Sequence, residues 1–249
     1  MKEIFIKEKL EELGWPVERL SLGEFDFIGH FSAYKQRNPD SDLFKTAGCF
    51  FRPNYERGLL IYALIRKYNI KSYLEVGFGR GYSCLCAAKA LFENGGGTIT
   101  TVDPYFDESL WTQLNAIFPP EWMEQVKVVQ EKSQDYLKDN DQTYDFVYID
   151  GDHSFLGVKK DWENTKDKYN KVLLFDDYHK EEYEDPSSCS HEGHAPPEMK
   201  NIQEISCSHV IDKIEDDSKE LIKMDRRIFT DDRQLPDEEI QYGQVLLTK

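Results

Sequence analysis

Between Ser72 and Asp103 the chain reads SYLEVGFGRGYSCLCAAKALFENGGGTITTVD. An apolar run of Tyr73, Leu74 and Val76 stops at the glycines Gly77, Gly79 and Gly81. A helix-like run from Cys84 to Phe92 follows, broken by Gly95 to Gly97, and a β-branched run from Thr98 to Val102 ends in Asp103. Strand, glycine turn, helix, strand and acid make one parallel βαβ unit. Such a unit has a right-handed crossover and takes its ligand at the carboxyl ends of its strands.

A dinucleotide site asks for G-x-G-x-x-G, the third glycine allowing close helix–strand packing. Here Tyr82 stands at that third position, which disfavours NAD. The spacing is instead E-x-G-x-G-x-G, with Glu75, Gly77, Gly79 and Gly81. It resembles the first motif of the class I S-adenosylmethionine (SAM) methyltransferases. The resemblance implies that the glycine turn lies against the methionine part of SAM and that Asp103 accepts the ribose hydroxyls. A carboxylate suits that task because its two oxygens meet two donors.

The remaining pattern alternates helix and strand. Met1 to Leu13 reads as an amphipathic helix ended by Gly14 and Pro16. Residues 21–51 are aromatic-rich without a clean period, and read equally as a cover over the site or as packing outside the core. Pro53 to Tyr68 is a strongly apolar helix leading into the first core strand. Further strands are expected at Val126 to Val129, Tyr144 to Ile149, Lys171 to Phe175, Val210 to Ile214 and Gln244 to Leu247. Helices are expected at Glu108 to Phe118, from Ser133 (a plausible cap) to Leu137, at Leu156 to Tyr169 and at Glu198 to Ile205. The fold class is α/β, a doubly wound, mainly parallel sheet. The resemblance sets the count at seven strands, the last antiparallel. The expected division is an N-terminal helical cap over residues 1–51 and a SAM-binding domain over 52–249, with a polar insertion near 180–197.

Paired acids close the fourth and fifth core strands: Asp150 with Asp152, and Asp176 with Asp177. Adjacent parallel strands bring these carboxylates together, and like charges so placed raise one another's pKa. A hard divalent cation, Mg²⁺ first, relieves that repulsion through oxygen ligands. YDFVYIDGDHSFLGVKKDW (Tyr144 to Trp162) resembles the fourth-strand motif of the sugar and macrolide O-methyltransferases, and Asp176-Asp177-Tyr178 matches their fifth-strand motif. EKSQDYL (Glu131 to Leu137) is similar to the catechol O-methyltransferase segment whose Ser-Gln pair contacts adenine.

The resemblance spans roughly residues 52–179. It implies that Asp150, Asp176 and Asp177 hold the cation, that Asp152 is the general base, and that Ser133 and Gln134 lie at the adenine. Asp150 counts among the cofactor contacts as well. His153 is a second candidate base, and His179 a further ligand or base. Tyr178 reads equally as packing or as an acceptor contact.

The implied activity is methyl transfer from SAM to a hydroxyl of a small molecule, assisted by the cation. An N-methyltransferase or aminopropyltransferase-like enzyme would use the same fold on an amine. A non-catalytic subunit of the same fold would use the acidic tail as a partner surface.

Charge and cysteines bound the setting. The net charge is −16, and ten of those charges lie beyond residue 180. Such a surface repels phosphate backbones and anionic lipid, which argues against nucleic-acid and membrane partners. No apolar run approaches the roughly 20 residues of a membrane span, and the charged N-terminus has no secretory apolar core. Five cysteines, an odd number, make no disulfide framework, so a reducing, cytoplasmic setting is expected. Cys189, His191, His194, Cys207 and His209 match no common zinc spacing and read as a solvated loop. Self-association into a homo-oligomer stays open.

Overall fold

The computed structural model describes residues 1–19, 22–25, 27–41, 55–179, 207–224 and 242–249. The insertion near 180–197, the helix expected at Glu198 to Ile205, and Cys49, Cys189, His191 and His194 lie outside the described residues, as does the side chain of His179.

Among the described residues eight strands form one sheet: β1 (Lys2–Phe5), β2 (Ser72–Val76), β3 (Thr98–Val102), β4 (Val126–Val129), β5 (Tyr144–Ile149), β6 (Tyr169–His179), β7 (Glu220–Lys223) and β8 (Tyr242–Thr248). Their order is β1-β7-β8-β6-β5-β2-β3-β4. All neighbours are parallel except β8, which runs antiparallel to both β6 and β7. β2 and β5 read as near-continuous buried runs, as strands covered on both faces must.

One face packs against the helices Ile6–Leu13, Tyr55–Lys67 and Tyr82–Glu93. The other packs against Phe155–Thr165 and Cys207–Asp212. Leu59, Leu60, Ile61, Leu64 and Ile65 are at most 1% exposed. Each such side chain contributes roughly 1.5–3 kcal/mol on burial, which anchors the helix directly ahead of β2. Phe25, Phe27 and Phe31 are buried in the same core, edge-on to Tyr62, Phe118 and Trp122. These described residues of the aromatic-rich segment are packed side chains of that core.

Three readings of the sequence are corrected. Among the described residues the sheet has eight strands rather than seven, because residues 2–5 extend as β1 instead of opening the N-terminal helix. β1 pairs in parallel with β7, Ile4 opposite Ile222, and so supplies partners to backbone groups that an uncovered edge would leave exposed. Val210 to Ile214 falls in and just after the helix Cys207–Asp212, a short apolar run that periodicity alone cannot assign. The strand at this side of the sheet is instead Glu220–Lys223, hidden among charges. Ser133 does not cap its helix by a side-chain bond; it is the first helical residue and its hydroxyl turns to Asp161.

Among the described residues no helix is long and apolar enough to cross a membrane. Cys84, Cys86 and Cys207 are buried, and Cys207 Sγ donates to the Asp177 carbonyl oxygen at 3.1 Å.

Candidate functional site

β2 pairs with β3 on one side and β5 on the other, so the chain departs from it in two directions. A crevice opens at such a point, outside the carboxyl ends of the strands. The glycine turn after β2 fills its floor. Gly77 takes φ +93°, a region L side chains avoid, and a Cβ there would lie 2.1 Å from the carbonyl oxygen of Asp150. Only a residue without a side chain lets the turn pass this close to the end of β5. Gly81, at φ +82°, precedes the helix Tyr82–Glu93, and a Cβ there would meet the Phe78 ring at 2.7 Å.

The crevice is a cavity of about 510 Å³, within the roughly 300–1,000 Å³ of small-molecule sites. Gly77, Gly79, Asp103, Ser133, Gln134, Asp150 and Asp152 all line it. Tyr105, Lys132 and Lys160 line it too, and were not singled out from the sequence. Asp103 sits at the centre of the turn. Its Oδ2 accepts the Phe78 and Gly79 N–H groups at 2.9 and 3.3 Å, and its Oδ1 accepts that of Tyr105 at 2.8 Å. Oδ1 keeps a second lone pair for a ligand hydroxyl, while the two amides engage both of those on Oδ2. Ser133 Oγ donates to Asp161 Oδ1 at 2.6 Å, and Lys160 Nζ donates to Gln134 Oε1 at 3.2 Å. Burial pushes Asp161 up to about 6 despite the Ser133 bond.

Two of the residues grouped with the cofactor do not line the cavity. Gly81 shapes the turn behind it. Glu75 is fully buried on the sheet face beneath the helices, where Ser83 Oγ donates to Oε1 at 2.5 Å and Thr101 Oγ1 to Oε2 at 2.9 Å. Burial outweighs these two bonds and raises Glu75 to about 8. Its geometry ties the helix and strand on either side of the glycine turn together.

The acids of β5 and β6 meet beside the cavity. β6 bulges between Phe175 and Tyr178, and Asp177 takes φ +53°. Successive strand residues normally point to opposite faces; the bulge instead turns both carboxylates toward one cation. That cation is Arg57, in the first turn of the helix Tyr55–Lys67. Its Nη1 lies 2.6 Å from Asp176 Oδ2 and its Nη2 2.7 Å from Asp177 Oδ1. Burial opposes the charge on Arg57, but Asp176 and Asp177 outweigh it and hold its pKa above the ordinary value. Burial likewise opposes ionisation of Asp176, and Arg57 overrides it, holding that carboxyl low. Gln244 Nε2 donates to Asp176 Oδ1 at 3.1 Å and to the Tyr148 hydroxyl at 3.0 Å.

His153 Nε2 lies 3.3 Å from Asp150 Oδ1 and 3.4 Å from Asp177 Oδ2. Burial works against its charged form, but the bond to Asp150 and the charge of Asp177 raise it to about 9. Burial and the neighbouring Asp176 raise Asp150. Asp152 turns the other way. Its Oδ1 accepts the Ser154 N–H at 3.0 Å, while Oδ2 makes no hydrogen bond among the described residues. Tyr178 is packed rather than presented: it is buried on the opposite face, and its hydroxyl donates to Asp212 at 2.9 Å.

Asp150, Asp176 and Asp177 do not suit a divalent cation as they stand. Both oxygens of Asp176, both of Asp177 and Oδ1 of Asp150 already face a protein donor, and a dication among them would sit against Arg57 and His153. Among the described residues no cluster of His, Cys, Asp and Glu has the arrangement of a metal site.

A family model described as a methyltransferase domain matches residues 74–178. No curated protein matches the chain. Among solved structures, an O-methyltransferase from Bacillus cereus in complex with SAH is 17% identical, with a TM-score of 0.53 over 98% of this chain and 97% of that one. The O-methyltransferase TomG from Streptomyces achromogenes, solved with SAM, is 16% identical, with a TM-score of 0.50 over 78% and 79%. A putative O-methyltransferase from Klebsiella pneumoniae is 12% identical, with a TM-score of 0.51 over 97% and 86%. Identities this low speak to the fold alone, and the fold agrees with the domain match and with the glycine turn. Residues 74–178 thus match a methyltransferase-domain model, and the chain shares the fold of these solved O-methyltransferases.

Proposed function

We propose that the protein transfers the methyl group of SAM to a hydroxyl of a small molecule. The observation that carries this reading is the cavity itself. It draws the glycine turn, Asp103, the Ser133–Gln134 pair and the Asp150–Asp152 end of β5 from four separate stretches onto one small-molecule-sized space. In this reading Asp103 takes the ribose hydroxyls, Ser133 and Gln134 border the adenine, and the sulfonium end points toward Asp150 and Asp152.

Methyl transfer from a sulfonium needs little covalent help. The acceptor oxygen attacks the methyl carbon in line, the carbon–sulfur electron pair stays on sulfur, and the products are a methyl ether, SAH and a proton. Holding the reactants in line supplies roughly 7–11 kcal/mol of the barrier. The proton needs an acceptor. His153 is a poor one, because with a pKa of about 9 it already carries its proton at neutral pH. Asp152 has an oxygen with no hydrogen bond among the described residues and lines the cavity, so we assign it the base. The cation that the resemblance implies enters no step here, because Arg57 and His153 take the oxygens it would need.

The test is a SAH-release assay against paired panels of hydroxyl and amine acceptors, run beside calorimetry with SAM and NAD. Turnover confined to hydroxyls supports the reading. Turnover confined to amines moves the protein to the N-methyl or aminopropyl class. SAM binding absent, or weaker than NAD, overturns the cofactor.

A further inference from the structure

Arg57 stands where a metal ion is expected. It lies 120 residues from Asp177 along the chain, yet its two terminal nitrogens divide between two consecutive carboxylates, one per nitrogen. The arrangement is built from three sides. The helix Tyr55–Lys67 presents the guanidinium in its first turn. The bulge in β6, with Asp177 at positive φ, turns a second carboxylate onto the same face as Asp176. From β8, Gln244 fixes the other oxygen of Asp176. Asp176 is 2% exposed, so its charge has little water to lean on and needs a fixed partner.

A guanidinium meets that need differently from Mg²⁺. It is always charged, planar and directional, whereas Mg²⁺ demands close octahedral oxygens and keeps several waters. A dication at these oxygens would sit against Arg57 and His153, and the protein has its own cation in place.

We infer that Arg57 replaces the divalent cation at the Asp150–Asp176–Asp177 cluster, so that this chain works without a metal. This rests on the methyltransferase reading. Arg57 is a positioning residue: it acts through the carboxylates, which in turn hold His153 beside the cavity, and it sets an acceptor side with a fixed, non-exchangeable charge. The acceptors that suit it need no chelating pair of oxygens. A single hydroxyl is enough, where a metal-assisted site favours vicinal diols or catechols that grip the ion through both.

The experiment is a Mn²⁺ titration of the purified full chain followed by electron paramagnetic resonance, on the wild type, Arg57→Gln and Arg57→Lys. The expected result is no saturable site in the wild type or in Arg57→Lys, and a one-to-one site in Arg57→Gln that Mg²⁺ displaces. A saturable Mn²⁺ site in the wild type, lost in Asp177→Asn, overturns the inference. So does a folded Arg57→Gln that gains no site. Should Arg57→Gln fail to fold by circular dichroism, the wild-type titration alone decides. Methyl transfer is measured in parallel after exhaustive EDTA treatment: a rate within about twofold of the untreated rate agrees, and a loss of more than tenfold restored by Mg²⁺ overturns. SAH calorimetry on the same samples keeps the two claims apart, since absent SAH binding defeats the methyltransferase reading while the Mn²⁺ result still reports on Arg57.

Discussion

The α-carbon of Gly77 passes so close to Asp150 that a methyl group on it would stand 2.1 Å from the Asp150 carbonyl oxygen. The turn that floors the cavity and the end of the strand that carries the acids are thus one packed unit. Gly77→Ala should therefore harm stability and ligand binding together. Forcing a side chain into φ +93° costs roughly 1–2 kcal/mol, and the overlap with β5 a further 1–3 kcal/mol. Urea denaturation and SAH calorimetry on this variant check it. An unchanged midpoint would show that the close approach does not exist.

Asp103→Ala should weaken SAH binding by roughly 1.5–3 kcal/mol, the worth of a hydrogen bond to a charged group. Because Asp103 also ties down the backbone of Phe78, Gly79 and Tyr105, part of the loss should come from a loosened turn. Asp103→Asn retains an acceptor and should fall between the two. Equal affinity in all three proteins would remove Asp103 from the ribose.

Asp152→Asn should leave SAH binding near wild type and lower kcat by roughly 10²–10⁴-fold, the usual contribution of a general base. His153→Gln should cost less in kcat, since His153 is already charged at neutral pH. If the histidine change is the silencing one, the base has been assigned to the wrong neighbour.

Acid should loosen the N-terminal edge first. Glu220 is nearly buried between Lys2 and Lys9, with Lys2 Nζ at 2.8 Å. Burial alone would raise its pKa, but the two lysines override this and lower it. A carboxyl whose folded pKa is depressed contributes stability that is present above its unfolded value, and that contribution is lost as pH falls through the folded one. Denaturation midpoints should thus decline below the ordinary glutamate range, and Glu220→Gln should flatten that decline. A parallel decline in wild type and variant would assign acid sensitivity elsewhere.

Much of this was legible in the sequence for a plain reason. Parallel strands covered on both faces must be apolar along their length, and YDFVYI and SYLEV are; glycines at φ near +90° cannot be replaced by anything else. Glu75 lies off the cavity lining, and a motif position does not say which face a side chain takes. Strand alternation sends it with Tyr73 and Tyr148 under the helices, away from the crevice. Arg57 escaped notice because a charged residue in the first turn of an apolar helix reads as solvated. The available signal was chemical: three acids expected at adjoining strand ends need a counter-charge, and a side chain can supply it as readily as an ion. β1 and β7 were missed because four residues are too few to show a period.

The placement of β1 has a consequence for how the chain acquires its structure. Among the described residues, residues 2–5 pair with residues 220–223, which in turn lie against β8. β1 must therefore wait, unpaired, until residues 220–223 are in place. Closing contacts between such distant segments is slow, because the loop entropy must be overcome before the pairing rewards it. The central strands β2 to β5 need no such wait. Pulsed hydrogen exchange during refolding should find the amides of β2 and β5 protected early and those of Ile4 and Ile222 last, with early protection of Ile4 arguing against this order. A nascent or refolding molecule would then have its central crevice assembled while one edge of its sheet was still bare and open to pairing with another chain.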